Sequence, residues 1–173
     1  MKNLLFFAYT IIFFSKNLGA QVPTTMPADA NTFYNNLMPL LRPAVRNIVL
    51  QTAKAMKNHK ANSDSLFKAI RNKASLKGMN NNDIEGVVVL IMVQASKDAD
   101  ADLKNMVMDI SRQNEQKESA RTARQPKPED DVQDMQNLKL QMIIDRKSNM
   151  AEEVGYVMKK ISGTQQNIIN NLK

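Results

Sequence analysis

The sequence predicts an all-α protein built on one long antiparallel helical hairpin, with two shorter N-terminal helices packed at one end. Three observations carry this. Apolar residues recur about every 3.7 positions along residues 84–110 and again along 135–172, a helical period that no strand produces. The segment QPKPEDD, with two prolines and an acidic cluster, separates the two stretches as a turn. Finally, 43% hydrophobic and 24% charged residues are the balance of an ordinary globular chain, which at 173 residues makes one domain.

Taken in order, residues 1–20, MKNLLFFAYTIIFFSKNLGA, read as a secretory signal peptide. Lys2 supplies the positive start, Leu4 to Phe14 the apolar run, and Ala20 the small residue before the cut. The run falls well short of the roughly 20 residues of a membrane-spanning helix. Residues 21–30, QVPTTMPADA, have two prolines and no periodic face and are expected to form a flexible leader. The remaining 31–173 form the helical domain. Pro43 suits the first turn of a helix running to about His59, with Val45, Ile48, Val49, Thr52, Ala53 and Met56 inward. A shorter helix starts at Ser63 or Asp64, turns Leu66, Phe67 and Ile70 inward, and stops before Gly78.

The hairpin follows, with arms at about 82–122 and 131–172 and a turn at 122–130. Asn80, Asn81, Asn82 and Asp83 offer N-cap side chains to the first arm. Its stripe is Ile84, Val88, Ile91, Ala95, Ala99, Leu103, Met106 and Ile110, of which Val88, Ile91, Ala95 and Met106 are taken as buried core. The apolar run VVVLIMV, residues 87–93, is its most deeply covered part. Glu129, Asp130 and Asp131 suit the N-terminus of the second arm. There the stripe runs Met135, Leu138, Met142, Arg146, Met150, Val154, Val157, Ile161, Thr164, Ile168 and Leu172. A turn centred near Pro126 makes facing residues sum to about 252, which sets Met106 beside Arg146. Asp102 or Asp109 is the expected ion-pair partner of that arginine, since a charge in an apolar stripe needs one.

Chemistry finds little to stand on. Asp98, Asp100, Asp102 and Asp109 match four positions of a calcium loop, but Leu103 stands where that loop needs glycine, and the helical stripe runs straight through. His59 is the only histidine and there is no cysteine. No nucleophile set, zinc spacing or phosphate loop is present. The expectation is a non-enzyme with no metal, no cofactor and no small-molecule substrate. Without residues 1–20 the chain keeps 22 basic and 17 acidic residues, a charge of +5. Its richest basic patch is Lys54, Lys57, His59, Lys60, Lys68, Arg71, Lys73 and Lys77. Few aromatic residues accompany these bases, which disfavours nucleic acid; the patch reads first as a solvated face of two short helices, with phosphate, lipopolysaccharide or an anionic membrane as the polyanions it could face. Seven methionines lie in the two arms, Met92, Met106, Met108, Met135, Met142, Met150 and Met158, as core filler or as adaptable contact surface.

The long hairpin is similar in shape to secretion-filament subunits and to periplasmic holdase chaperones such as Skp. It shares no motif with either, and shape alone does not carry function. The sequence therefore predicts an exported helical protein, periplasmic or extracellular and bacterial by its Asn, Lys and Ile richness. It would act through helix contacts as an assembly subunit or interaction partner, with a protein partner or self-association. Met135, Leu138, Met142, Met150, Val157, Ile161, Ile168 and Leu172 are the expected contact residues. The alternatives are a membrane-active secreted effector that inserts its 84–95 region and a Skp-like holdase.

Overall fold

A computed structural model describes residues 25–58, 62–122 and 131–173. The segment 1–20, the leader up to residue 24, His59, Lys60 and most of the turn at 122–130 lie outside the described residues. Within them the chain is all-α, with six α-helices: α1 (Ala28–Leu37), α2 (Pro43–Ala55), α3 (Ser63–Arg71), α4 (Asn81–Thr122), α5 (Asp131–Ile161) and α6 (Gln165–Leu172). The long hairpin is α4 against α5, and short helices gather at its open end.

Among the described residues three short helices precede the hairpin, one more than expected. The additional helix, α1, begins inside the segment 21–30 and buries Ala30, Phe33 and Leu37 at i, i+3 and i+7, one helical face. Pro43 stands in the first turn of α2, which buries Val45, Ile48, Val49 and Ala53. α3 is capped by Asn62, whose side chain accepts from the Ser65 N–H at 2.8 Å. Gly78, at φ 89°, turns the chain into α4. There Asn80 and Asp83 form a reciprocal capping box. The Asp83 N–H donates to Asn80 Oδ1 at 2.9 Å and the Asn80 N–H to Asp83 Oδ2 at 3.2 Å.

α4 is 42 residues long, about 63 Å at 1.5 Å per residue. All five other helices pack against it, and this explains VVVLIMV. Val87 to Val93 are each at most 1% exposed, because a helix covered on every side is apolar on every side. Each such side chain contributes about 1.5–3 kcal/mol as an upper estimate.

The second arm breaks at Ser162-Gly163-Thr164, where α5 ends and α6 starts. Lys160 is level with Glu85, to which it is bonded at 2.6 Å. A straight continuation would carry Asn171 about 16 Å further along the axis. Instead its amide donates to both oxygens of Asp83 at 3.1 Å, so α6 folds back over the first turn of α4. The Arg42 N–H donates to the Leu172 carbonyl at 3.3 Å, tying down the same end. Gly86 makes room for this return, for a Cβ there would lie 2.6 Å from Cγ2 of Ile168.

Facing pairs across the hairpin are Glu85 and Lys160, Asp100 and Lys147, Asp102 and Arg146, and Gln113 and Gln136. Their numbers sum to about 245–249, about one helical turn from the expected 252.

Candidate functional site

Cover ends abruptly along the hairpin. Buried residues reach Ala99 on α4 and resume at Met150 on α5, and none of the described side chains between those limits is buried. The part beyond is an arm of two helices with no other described helix laid over it. Leu103, Met106 and Ile110 on α4, with Leu140, Ile143 and Ile144 on α5, are half-buried between or beside the two helices. Met135, Leu138 and Met142 are instead 57%, 62% and 63% exposed.

Helix geometry gives the reason. A stripe stepping about 3.7 residues turns about 370° per step, so on a straight helix it drifts by about 10° each time. Between Met135 and Ile161 it rotates through about 80°. At the Ile161 end the stripe lies in the core; at the Met135 end it has moved onto an outer face. Met135, Leu138 and Met142, at i, i+3 and i+7, thus form an apolar strip open to solvent. Val107 and Met108 on α4, 45% and 52% exposed, add apolar surface to the same arm. The other expected contact residues lie elsewhere. Met150, Val157, Ile161, Ile168 and Leu172 are core, each at most 3% exposed, beside Val88, Ile91 and Ala95.

Charge around the arm is locally matched. Asp102 takes Arg146 at 3.7 Å and Lys57 at 2.9 Å. Asp109 pairs with Arg112, one turn along its own helix, at 3.4 Å. Asp100 is engaged by Lys147, and Asp98 accepts from the Gln94 amide at 2.8 Å. The four aspartates therefore share no neighbour and do not converge. Among the described residues no group of three His, Cys, Asp or Glu side chains is placed to hold a metal ion, and no helix is long and apolar enough to cross a membrane.

A recess of about 250 Å³ lies where the start of α1 meets the hairpin, lined by Asn31, Ser96, Lys97, Asp100 and Lys147 among others. Beside it the Tyr34 hydroxyl donates to Gln94, and the Lys97 ammonium sits 5.0 Å over the Tyr34 ring. Burial, with Asp98 nearby, holds the Tyr34 phenol above its ordinary pKa.

Sequence reasoning missed two clasps that join distant segments. The Glu153 carboxylate on α5 accepts from both the N–H of Ser63, at 2.9 Å, and its hydroxyl, at 2.6 Å, so a hairpin residue caps α3. Asp83, only 2% exposed, holds Asn171. The capping pattern of Asn80 and Asp83 was visible locally, but its use by a residue 88 positions away was not. Compared with protein-family models, curated proteins and solved structures, the chain matches none.

Proposed function

We propose that the protein is an exported, non-catalytic assembly protein whose hairpin arm pairs with the arm of a second copy. The observation that carries the reading is the open strip of Met135, Leu138 and Met142. Two helices cannot cover their own outer apolar positions, whereas two two-helix arms laid together close into a four-helix bundle that can. The size fits. About 20 residues of each helix give an arm some 30 Å long and about 20 Å wide, a face of about 600 Å², against the about 800 Å² per partner of a standard stable interface. An isologous pair brings the same strip from both sides, so one chain supplies both halves of the contact. The sealed state of Val87 to Val93 favours this over insertion of the 84–95 region, which would first require opening the bundle.

Light scattering on the chain from Gln21 to Lys173 tests the proposal. A dimer mass that falls to monomer on dilution is expected, as is a monomer for Leu138→Glu with Met142→Glu, whose thermal melting when dilute matches that of the dilute parent. A parent that stays monomeric at every concentration, or a dimer that survives both substitutions, overturns it.

A further inference from the structure

The positive charge of this chain is concentrated in one part of the fold. Residues 31–82 hold nine Lys and Arg against a single acid, Asp64, while residues 83–173 hold thirteen against fifteen acids. All but one of the described basic residues of that first part are on the outside, the exception being the half-buried Arg46. Lys54, Lys57, Lys68, Arg71, Lys73 and Lys77 are all exposed. Among the described residues no carboxylate makes an ion pair with Lys54, Lys68, Lys73 or Lys77. Arg71 lies 6.0 Å over the Phe67 ring, its charge equally unmatched.

A second observation bears on what this surface meets. On α2, Leu50 and Lys54 stand one turn apart on one face; Arg46, one turn before them, is half-buried and donates to the Pro39 carbonyl at 2.6 Å, and Lys57, just past the end, is held by Asp102. Leu50 is 42% exposed, and Leu40 just before α2 is 52% exposed. A helix that buries Val45, Ile48 and Val49 on its inner side thus presents leucine beside lysine on its outer side. Single-stranded nucleic acid would be met by cations with stacking rings. Cations interleaved with exposed aliphatic side chains fit instead a lipid surface, where the charges meet anionic headgroups and the leucines enter the acyl boundary.

We infer that the exposed basic surface of residues 40–77 is a peripheral docking surface for an anionic lipid bilayer, with Lys54, Lys68, Lys73 and Lys77 held at the headgroups and Leu40 and Leu50 at the boundary. This surface shares no residue with the strip of Met135, Leu138 and Met142, so docking and pairing use different side chains.

Sedimentation with vesicles tests this on the chain from Gln21 to Lys173, which lacks the apolar run of residues 4–14. Binding is expected to vesicles of equal parts phosphatidylglycerol and phosphatidylcholine, and not to phosphatidylcholine alone. Each cation near such a surface is worth about fivefold in affinity, so joint replacement of Lys54, Lys68, Lys73 and Lys77 by Gln is expected to weaken binding by more than about 100-fold. Leu50→Ser is expected to lower the binding that persists at high salt, with melting unchanged in both variants. Equal binding to both vesicle types, no binding to either, or full binding by the four-fold variant overturns the inference. So does tighter binding to single-stranded DNA than to the anionic vesicles, which would make the face a nucleic-acid surface.

Discussion

Arg146 on α5 lies 3.7 Å from one carboxylate oxygen of Asp102 on α4, and Lys57, just past the end of α2, reaches the other oxygen at 2.9 Å. One carboxylate thus links three segments at the point where the core gives way to the arm. The arginine side chain is only 12% exposed, and its Nε has no partner. A cation in that position depends on Asp102. Arg146→Met and Asp102→Asn are therefore expected to couple by about 0.5–1 kcal/mol in a double-mutant cycle read by denaturant unfolding. Arg146→Met and Asp109→Asn are expected to add, because Asp109 is bonded to Arg112. Coupling to Asp109 and none to Asp102 would contradict the register given above.

How far the sequence reaches is visible in this pair. That Arg146 needs an acid, and that Asp102 or Asp109 supplies it, follows from the stripe; the choice between them depends on a register that the spacing of apolar residues does not set. The same holds along the hairpin. Period identifies both long helices and the depth of VVVLIMV, since an apolar residue on every face demands cover on every face. Period does not say where cover stops, because Met142 and Met150 carry the same sequence signal while one is 63% exposed and the other 0%. The return of α6 was equally hidden. It rests on Gly86, whose missing side chain leaves no trace in hydropathy, and on Asn171, which finds Asp83 only after the chain has turned.

The Ser63 and Glu153 clasp is expected to anchor α3 selectively. Ser63→Ala removes the hydroxyl bond and Glu153→Gln the charge that strengthens both bonds, each at a cost of about 1 kcal/mol. Hydrogen exchange is the discriminating measurement. Amides of α3 lose protection in both variants, while those of Val87 to Val93 hold theirs; uniform loss through the whole chain would mean that α3 does not open on its own.

Gly86→Ala offers a test of the folded-back C-terminus. In an isolated helix this change stabilises by about 0.8–1 kcal/mol. Here the new Cβ meets Cγ2 of Ile168 at 2.6 Å, an overpacking that costs about 1–3 kcal/mol. A net loss of stability is expected, with α6 the first element to lose protection. Ile168→Leu removes Cγ2 while conserving volume and is expected to relieve part of the loss in the double variant. A higher melting temperature for Gly86→Ala would show that α6 does not pack there.

Alkaline pH is expected to weaken the fold through Tyr34. Burial first, and Asp98 second, raise its pKa above 10.0, so the folded state keeps the phenol proton after the unfolded state has lost it. In that window the unfolded state binds fewer protons, and stability falls as pH rises. Below the unfolded value, near pH 10.0, Tyr34 adds no slope. Denaturant midpoints measured on either side of that value are expected to drop less for Tyr34→Phe than for the parent. The phenolate absorbance lost with the substitution should titrate above 10.0; a midpoint at or below it would place the ring in water.

The sharpest contrast lies between two apolar residues with the same helical signal. Ile91 is 0% exposed and surrounded by the other helices, whereas Leu138 is 62% exposed on the uncovered arm. Aspartate at 91 must bury a charge in the hydrophobic core, a cost of several kcal/mol against a total stability of about 5–15 kcal/mol. Aspartate at 138 enters water directly and is expected to stay within about 0.5 kcal/mol of the parent in the monomer. Ile91→Asp is therefore expected to abolish cooperative melting, as is Val88→Asp at 1% exposure. Leu138→Asp is expected to melt like the dilute parent while losing the dimer mass. A cooperatively folded Ile91→Asp protein would show that VVVLIMV can leave the core, and an unfolded Leu138→Asp monomer would show that the arm is covered from within its own chain.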